Sequence, residues 1–539
     1  MDPESAGKHE EANLTVAARE LKAMLHDGKE IALLDVREAG QFGESHLLFA
    51  IPLPYSRLEF EAPRLIPRRS TRIVVCDDGV LGVAQLAARR LVALGYFDIR
   101  ILDGGTRAWA EEGYALFAGV NVPSKLFGEL VEHTYHTPRV SAQTLLNMQH
   151  AGEDLLVVDG RPFAEYQKMN IPGAMCCPNA ELPYRIGEIV KSRNTKIVVN
   201  CAGRTRSIIG AQTLRNFGIP NPVYALENGT QGWVLADFEL EHGVTRRYPD
   251  RIDPARLPQL QASARALAAR FAARSVTDVE LDAWLRDPDR TTYLCDVRTP
   301  EEFAAGSLPG AVHAPGGQLI QATDQWIGVR NARIVLFDSE EVRAPTVASW
   351  LVQLGHEAYV LQDAMSAKFA THESAFKALP PLAAVSASAL AELSASQTVA
   401  LFDLRPSMSF RAAHIPGSRW SIRSRLVADA RQTASHRLVL VADDTAIAGA
   451  AAIDLAEAGF KDTRLLEGGL AAWTGAGLPV EASPDSPANA ACIDFLFFVH
   501  GRHSGDREAA RQYLAWEMNL MSQLDEQDRS IFRVGPAAA

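Results

Sequence analysis

Cysteine is scarce in this sequence, and so are the patterns that would tie it to a metal or a disulfide. Six cysteines in 539 residues are too few for a disulfide framework. No CxxC pair occurs, no Cys/His cluster has zinc spacing, and the 14 histidines show no ligand spacing. No Walker A loop is present, and the short LDGG and LEGG strings are too weak to be dinucleotide motifs. No metal and no cofactor is therefore expected. Positive charge is in deficit: 54 Lys and Arg against 65 Asp and Glu give a net charge of -11. A nucleic-acid binder would normally carry a basic stripe, so no nucleic acid is expected, although a local basic pocket for a small anion stays open. No apolar run is long enough to cross a bilayer. The most tempting, Phe495–Val499 (FLFFV), reads as a buried strand or helix face. The opening MDPESAGKHEEANLT is polar and acidic, without the basic start and apolar run of a signal peptide. No membrane association is expected, and the location is read as a reducing cytoplasm.

What is present is ordinary globular material, 47% hydrophobic and 22% charged. Its length suits about three to five domains. The chain also repeats itself, and repeats are best sought first. A short apolar strand ending in Asp-x-Arg occurs four times: Ile31–Arg37, Leu155–Arg161, Thr292–Arg298 and Val399–Arg405. Each is followed by a helical stretch with an aromatic residue. Three copies then show a turn of the form I/L-P-G-A/S (Ile171–Ala174, Leu308–Ala311, Ile415–Ser418), where the first has only Ala50–Pro54. A second buried strand follows: RIVVC, KIVVN, RIVLF and RLVLV. Next come a loop and a helix closed by Gly95, Gly218, Gly355 or Gly459, as helix C-termini prefer. A third strand leads to LDGG, LENG, LQDA or LEGG, and then to Trp109, Trp233 and Trp473 in three copies. Strands that are apolar throughout are buried on both faces, and their alternation with helices implies a parallel sheet covered on both sides. Each copy is the size of a small domain, so the copies are tandem domains.

This pattern, Asp-x-Arg, I-P-G-A, strand–Cys–loop–helix and L-x-G-G before Trp, resembles the rhodanese family over about four-fifths of the chain. The fold expected is α/β: four tandem rhodanese-like domains, each a small parallel sheet flanked by helices, plus a short C-terminal extension. The domains are expected at 10–125, 133–247, 274–374 and 382–483. A helical connector is expected at 248–273, with its Ala/Arg-rich part at Gln261–Arg274, and the extension at 484–539. In the extension, Asp506–Leu524 reads as a helix without an assigned role. A Pro-containing joint at Leu379–Pro381 separates copies three and four. Pairing of copies one with two and three with four is one arrangement, which the sequence leaves open.

The second copy carries Cys201-Ala202-Gly203-Arg204-Thr205-Arg206-Ser207, which is similar to the CxGxTR-type loops of rhodanese-like sulfurtransferases. In that resemblance the cysteine carries a persulfide. Cys201 is the expected catalytic residue, and Ala202, Gly203, Arg204, Thr205, Arg206 and Ser207 are the expected substrate-binding residues. The chemistry suits such a loop. Backbone N–H groups between a strand and a helix N-terminus form an anion site, and arginine is suited to oxyanions. The same field is expected to depress a thiol from ~8.5 to between ~3.5 and ~7.5. The thiolate would attack thiosulfate, sulfite would leave, and cyanide or a thiol would take the sulfur in a ping-pong cycle. The expected partners are a small anionic sulfur donor and a thiol or cyanide acceptor, with a protein acceptor also open. The six-residue span Cys201–Arg206 implies, by the resemblance, sulfur transfer over phosphatase or arsenate reductase chemistry. A mercaptopyruvate branch ranks lower. The rival from another class is a non-catalytic scaffold or a protein-to-protein sulfur relay.

Cys201, Asp338 and Asp77 each lie 42 residues after the Asp of their Asp-x-Arg, and Ala442 lies 39 after its own. Copies one, three and four are therefore expected to be inactive. Cys76 falls one residue early, beside two carboxylates that would raise its pKa. Cys176 and Cys177 follow the turn of the second copy; packing is the expected role, with sulfur relay from Cys201 the alternative. Cys295 and Cys492 are read as core. Asp159 and Arg161, present in all four copies, read as a structural pair. Glu227 and Asn228 stand in a loop that often borders the pocket.

Overall fold

The structure, a computed structural model, describes residues 15–80, 82–370, 382–395, 399–497, 500 and 506–537. The joint expected at Leu379–Pro381 lies outside these residues, as do Phe498 and Val499 of the apolar run.

Four five-stranded sheets follow one another along the chain. Numbering strands within each sheet by sequence, all four have the order 1-5-4-2-3. Every strand pair is parallel. In the second domain the strands are Arg139–Val140, Leu155–Asp159, Met175–Cys176, Lys196–Asn200 and Val223–Leu226. The three long strands are those expected from the apolar runs. The two outermost contain only two residues each, too short to show a period of two.

The central strand explains itself. Ile197, Val198 and Val199 are β-branched and wholly buried, which suits a pleated surface covered on both faces. Burying each such side chain is worth roughly 1.5–3 kcal/mol. The Asp-x-Arg pairs end the second strand of each domain in the same way. Arg161 Nε and Nη2 donate to Asp159 at 2.9 and 2.7 Å, and Nη2 also reaches the Met169 carbonyl at 2.6 Å. Arg37, Arg298 and Arg405 repeat this, each onto its own Asp and onto a carbonyl eight residues on. The pair fixes the strand-to-helix crossing in domains with and without a cysteine at the loop, so its role is architectural.

Between the first and second sheets runs a helix, Val122–Tyr135, and between the second and third another, Leu257–Arg270. The first lies flat against the helix Thr205–Phe217, close enough that a Cβ on Gly128 would sit 2.8 Å from Thr205. Beyond the fourth domain stands a helix, Arg507–Asn519, whose start is capped by Asp506, followed by a shorter one, Glu526–Arg529.

The domains do not pair in sequence order. The second packs on the third: Trp350 donates to Thr213 at 2.8 Å, and Arg343 meets Glu181 at 3.1 Å. The first packs on the fourth: Arg423 bridges Glu59 at 2.5 Å and Asp454 at 2.8 Å, and Tyr55 donates to Asp454. The pairing of one with two and three with four is thus replaced by two with three and one with four. The first and third also touch, through an Ile31–Arg330 bridge.

Candidate active site

Cys201 closes the strand Lys196–Asn200, and the helix Thr205–Phe217 opens just beyond it. The turn is held from beneath by the segment after the last strand. Thr230 and Gln231 donate their backbone N–H groups to the carbonyls of Cys201 and Ala202 at 2.8 and 3.1 Å. Gly229 makes this approach possible. Its φ is +52°, and a Cβ there would lie 2.2 Å from the Cys201 carbonyl oxygen. No other residue combines that backbone with that clearance.

Cys201 is 2% exposed, and it lines a cavity of about 210 Å³. The Ser207 hydroxyl donates to its sulfur at 3.1 Å. The first N–H groups of a helix have no partner within it, and no described side chain accepts from those of Thr205, Arg206 or Ser207. The third domain shows what these groups do. Asp338 stands where Cys201 stands, and its Oδ2 accepts from the N–H groups of Val342, Arg343 and Ala344 at 3.2, 2.5 and 3.2 Å. Those are the residues aligned with Thr205, Arg206 and Ser207. The loop is therefore an anion cradle, filled by its own carboxylate in the third domain. In the first domain Asp77 accepts from Gly79 and Ala84.

The two loop arginines are also held by carboxylates. Both line the cavity, but both are already engaged. Arg204 donates to Glu129 at 2.7 and 2.9 Å and to Glu132 at 2.5 Å, all from the helix Val122–Tyr135. Burial opposes its charge, yet Glu129, Glu132 and Glu517 together outweigh it and raise its pKa. Arg206 holds Glu165 through two bonds of 2.8 Å. The aligned Arg343 holds the aligned Glu302 in the third domain, so this clamp recurs without the cysteine. Thr205 turns its hydroxyl to Glu517 at 2.9 Å. Of the loop side chains, only Ser207 touches the sulfur.

The other cysteines stand apart. Cys176 and Cys177 are buried and absent from the cavity lining. Burial first, and Asp159 second, push Cys176 up to about 12. Burial and Glu181 raise Cys177, and burial with Asp35 raises Cys76. Cys295 is pushed to about 12 by burial and Asp296. Glu227 meets Arg139 at 3.5 Å, and Asn228 supplies the left-handed turn before Gly229.

Sequence reasoning missed most of the cavity's other walls. Gln318, Gln321 and Gln325 come from the third domain, Lys125 from the connecting helix, and Tyr513 and Glu517 from the C-terminal helix. None belongs to a repeated motif, so only their proximity in space identifies them.

The rhodanese-like domain profile matches residues 17–112, 141–236, 277–368 and 386–476; the chain belongs to the rhodanese-like domain family. Along nearly its whole length it is similar to a solved thiosulfate sulfurtransferase from Pseudomonas aeruginosa. That likeness has 42% identity and a TM-score of 0.88, and covers 96% of this chain and 99% of the other. MoeZ of Mycobacterium tuberculosis, named as an adenylyltransferase/sulfurtransferase, is 32% identical over 99 residues, 18% of this chain. The match spans only 25% of MoeZ. YrkF of Bacillus subtilis, named as a sulfur carrier protein, is 26% identical over 148 residues, 25% of this chain and 78% of its own length.

Proposed function

We propose that the chain is a thiosulfate sulfurtransferase whose sulfur carrier is Cys201. The observation that carries this reading is the contrast between aligned loops. The third domain's cradle is filled by Asp338, whereas the second presents a cysteine and leaves the equivalent N–H groups to a ligand. The Cys201 thiolate attacks the outer sulfur of thiosulfate. The S–S bond breaks with its electron pair on sulfite, and the terminal persulfide anion rests on the N–H groups of Thr205, Arg206 and Ser207. Cyanide or a thiolate then attacks that terminal sulfur, and the Cys201 thiolate is regenerated. Arg204 and Arg206 act indirectly, by fixing the loop against the connecting helix and Glu165. The near-complete burial of Cys201 favours a small acceptor over a docked protein. Six unbridged cysteines support a reducing compartment such as the cytoplasm.

Incubation with thiosulfate followed by intact mass measurement tests this reading. The expected result is a gain of one sulfur atom, with thiocyanate formed from cyanide, both lost in Cys201→Ser. Sulfur retained by that variant would move the carrier elsewhere. No sulfur on the unaltered chain would remove thiosulfate as donor.

A further inference from the structure

The C-terminal helix brings a charge to the mouth of the cradle that the reaction, as drawn above, does not use. Glu517 is 1% exposed although it lines the cavity. Its Oε1 is engaged: Thr205 donates to it at 2.9 Å, and Lys125 Nζ stands 3.5 Å away. Its Oε2 has no hydrogen-bond partner. That oxygen faces the middle of the loop, 3.2 Å from where a Cβ on Gly203 would lie. The side-chain amide of Gln231, also without a partner, approaches the same point. Of the other charges on the cavity wall, Arg204 is held by Glu129 and Glu132, Arg206 by Glu165, and Lys125 by Glu517 itself. Glu517 is thus paired with Lys125 through Oε1, while its Oε2 is left as an unpartnered negative pole beside the Cys201 loop.

We infer that Glu517 is a specificity-determining residue that filters ligands of the Cys201 pocket by charge. It weakens the hold on dianions and leaves uncharged or singly charged sulfur compounds, such as small thiols and hydrosulfide, as the preferred acceptors. Resting on the reading of Cys201 as sulfur carrier, this gives the half-reactions different electrostatics. Thiosulfate binds against a repulsion, sulfite is expelled by it, and return of sulfite to the persulfide is disfavoured. A buried, poorly screened carboxylate a few ångströms from the ligand is well placed to do this.

The test separates the filter from the sulfur chemistry. Cys201 is alkylated with iodoacetate, which is anionic, and with iodoacetamide, its neutral counterpart. In both, the thiolate forms an S–C bond and iodide leaves. The rate at the Cys201 peptide is followed by mass spectrometry. Glu517→Gln keeps the shape and an acceptor for Thr205 but removes the charge. It is expected to raise the iodoacetate-to-iodoacetamide rate ratio by about fivefold to tenfold, and to lower the KM for thiosulfate relative to any change in kcat. Glu517→Asp keeps the charge but draws it back by one methylene, and is expected to fall between the two. It carries the test if the glutamine variant does not fold. An unchanged or lower ratio in the folded variants overturns the filter. A raised ratio in a chain that never loads sulfur keeps the filter and removes the thiosulfate reading, so the two failures are distinguishable.

Discussion

Ser207 and Cys201 form the smallest unit of the site, and each depends on the other's position in the turn. The hydroxyl, wholly buried, donates to the sulfur at 3.1 Å. Hydrogen bonds to charged groups are worth about 1.5–3 kcal/mol. Ser207→Ala is therefore expected to slow iodoacetamide alkylation of Cys201 at neutral pH by about tenfold or more, with little change in thermal stability. Alkylation at the unaltered rate would show that the hydroxyl is a packing group. The loop arginines teach the opposite lesson. A sequence shows that Arg204 and Arg206 stand close to Cys201. It cannot show that three glutamates, two of them some 70 residues upstream, have already taken their charge.

At the level of elements, the same strand–loop–helix unit is used four times with different contents. In the second and third domains its clamp is an arginine in the first turn of the helix, gripping a glutamate from the helix after Asp-x-Arg. In the third domain this is Arg343 with Glu302, extended to Glu181 across the domain boundary. Burial pushes against ionisation of Glu302, but Arg343, with hydrogen bonds from Thr299, outweighs it and holds its pKa down at about 2. The sign follows. A carboxyl with a depressed folded-state value contributes stability above its unfolded value, and that contribution is lost as pH falls from about 4.5 towards 2. Glu302→Gln is expected to lower unfolding free energy by about 1–3 kcal/mol at pH 7. The deficit should shrink steadily in denaturant titrations as the pH is lowered through that window. A deficit independent of pH would mean that packing, not charge, holds the clamp. The recurrence of the unit was readable from its apolar strands and its Asp-x-Arg ends, because both are local patterns. The two-residue edge strands were not, since they owe their existence to the neighbour they pair with.

Across the whole molecule, the three domains without a matching cysteine make contacts that hold the assembly together. The third domain supplies glutamines to the Cys201 cavity, while the fourth contributes none to its lining and grips the first. The centre of that grip is Arg423, fully buried between Glu59 and Asp454 and stacked on Tyr55. Removing one partner of a buried ionic group commonly costs about 3–5 kcal/mol. Arg423→Ala is expected to loosen the fourth domain, seen as earlier release by limited proteolysis, while sulfur loading at Cys201 keeps its rate. Loss of both together would show that all four domains fold as one unit. The C-terminal extension binds the assembly. Its Ile493 carbonyl accepts from Gly40 in the first domain, Arg507 reaches the Leu235 carbonyl in the second, and Asp525 pairs with Lys22. Further on, Arg533 donates its backbone N–H to Gln353 in the third.

The sequence by itself determined the fourfold repeat, the buried parallel strands and the place of the one cysteine that begins a cradle loop. These follow from residue types at fixed short spacings, which a chain displays whether or not it is folded. Tertiary structure alone decided which domains pair, where the loop arginines spend their charge, and that a helix beyond the last repeat walls the Cys201 cavity. Thr205 and Glu517 lie 312 residues apart. A contact at that separation is set by how finished domains pack, and packing leaves no period or motif in the chain.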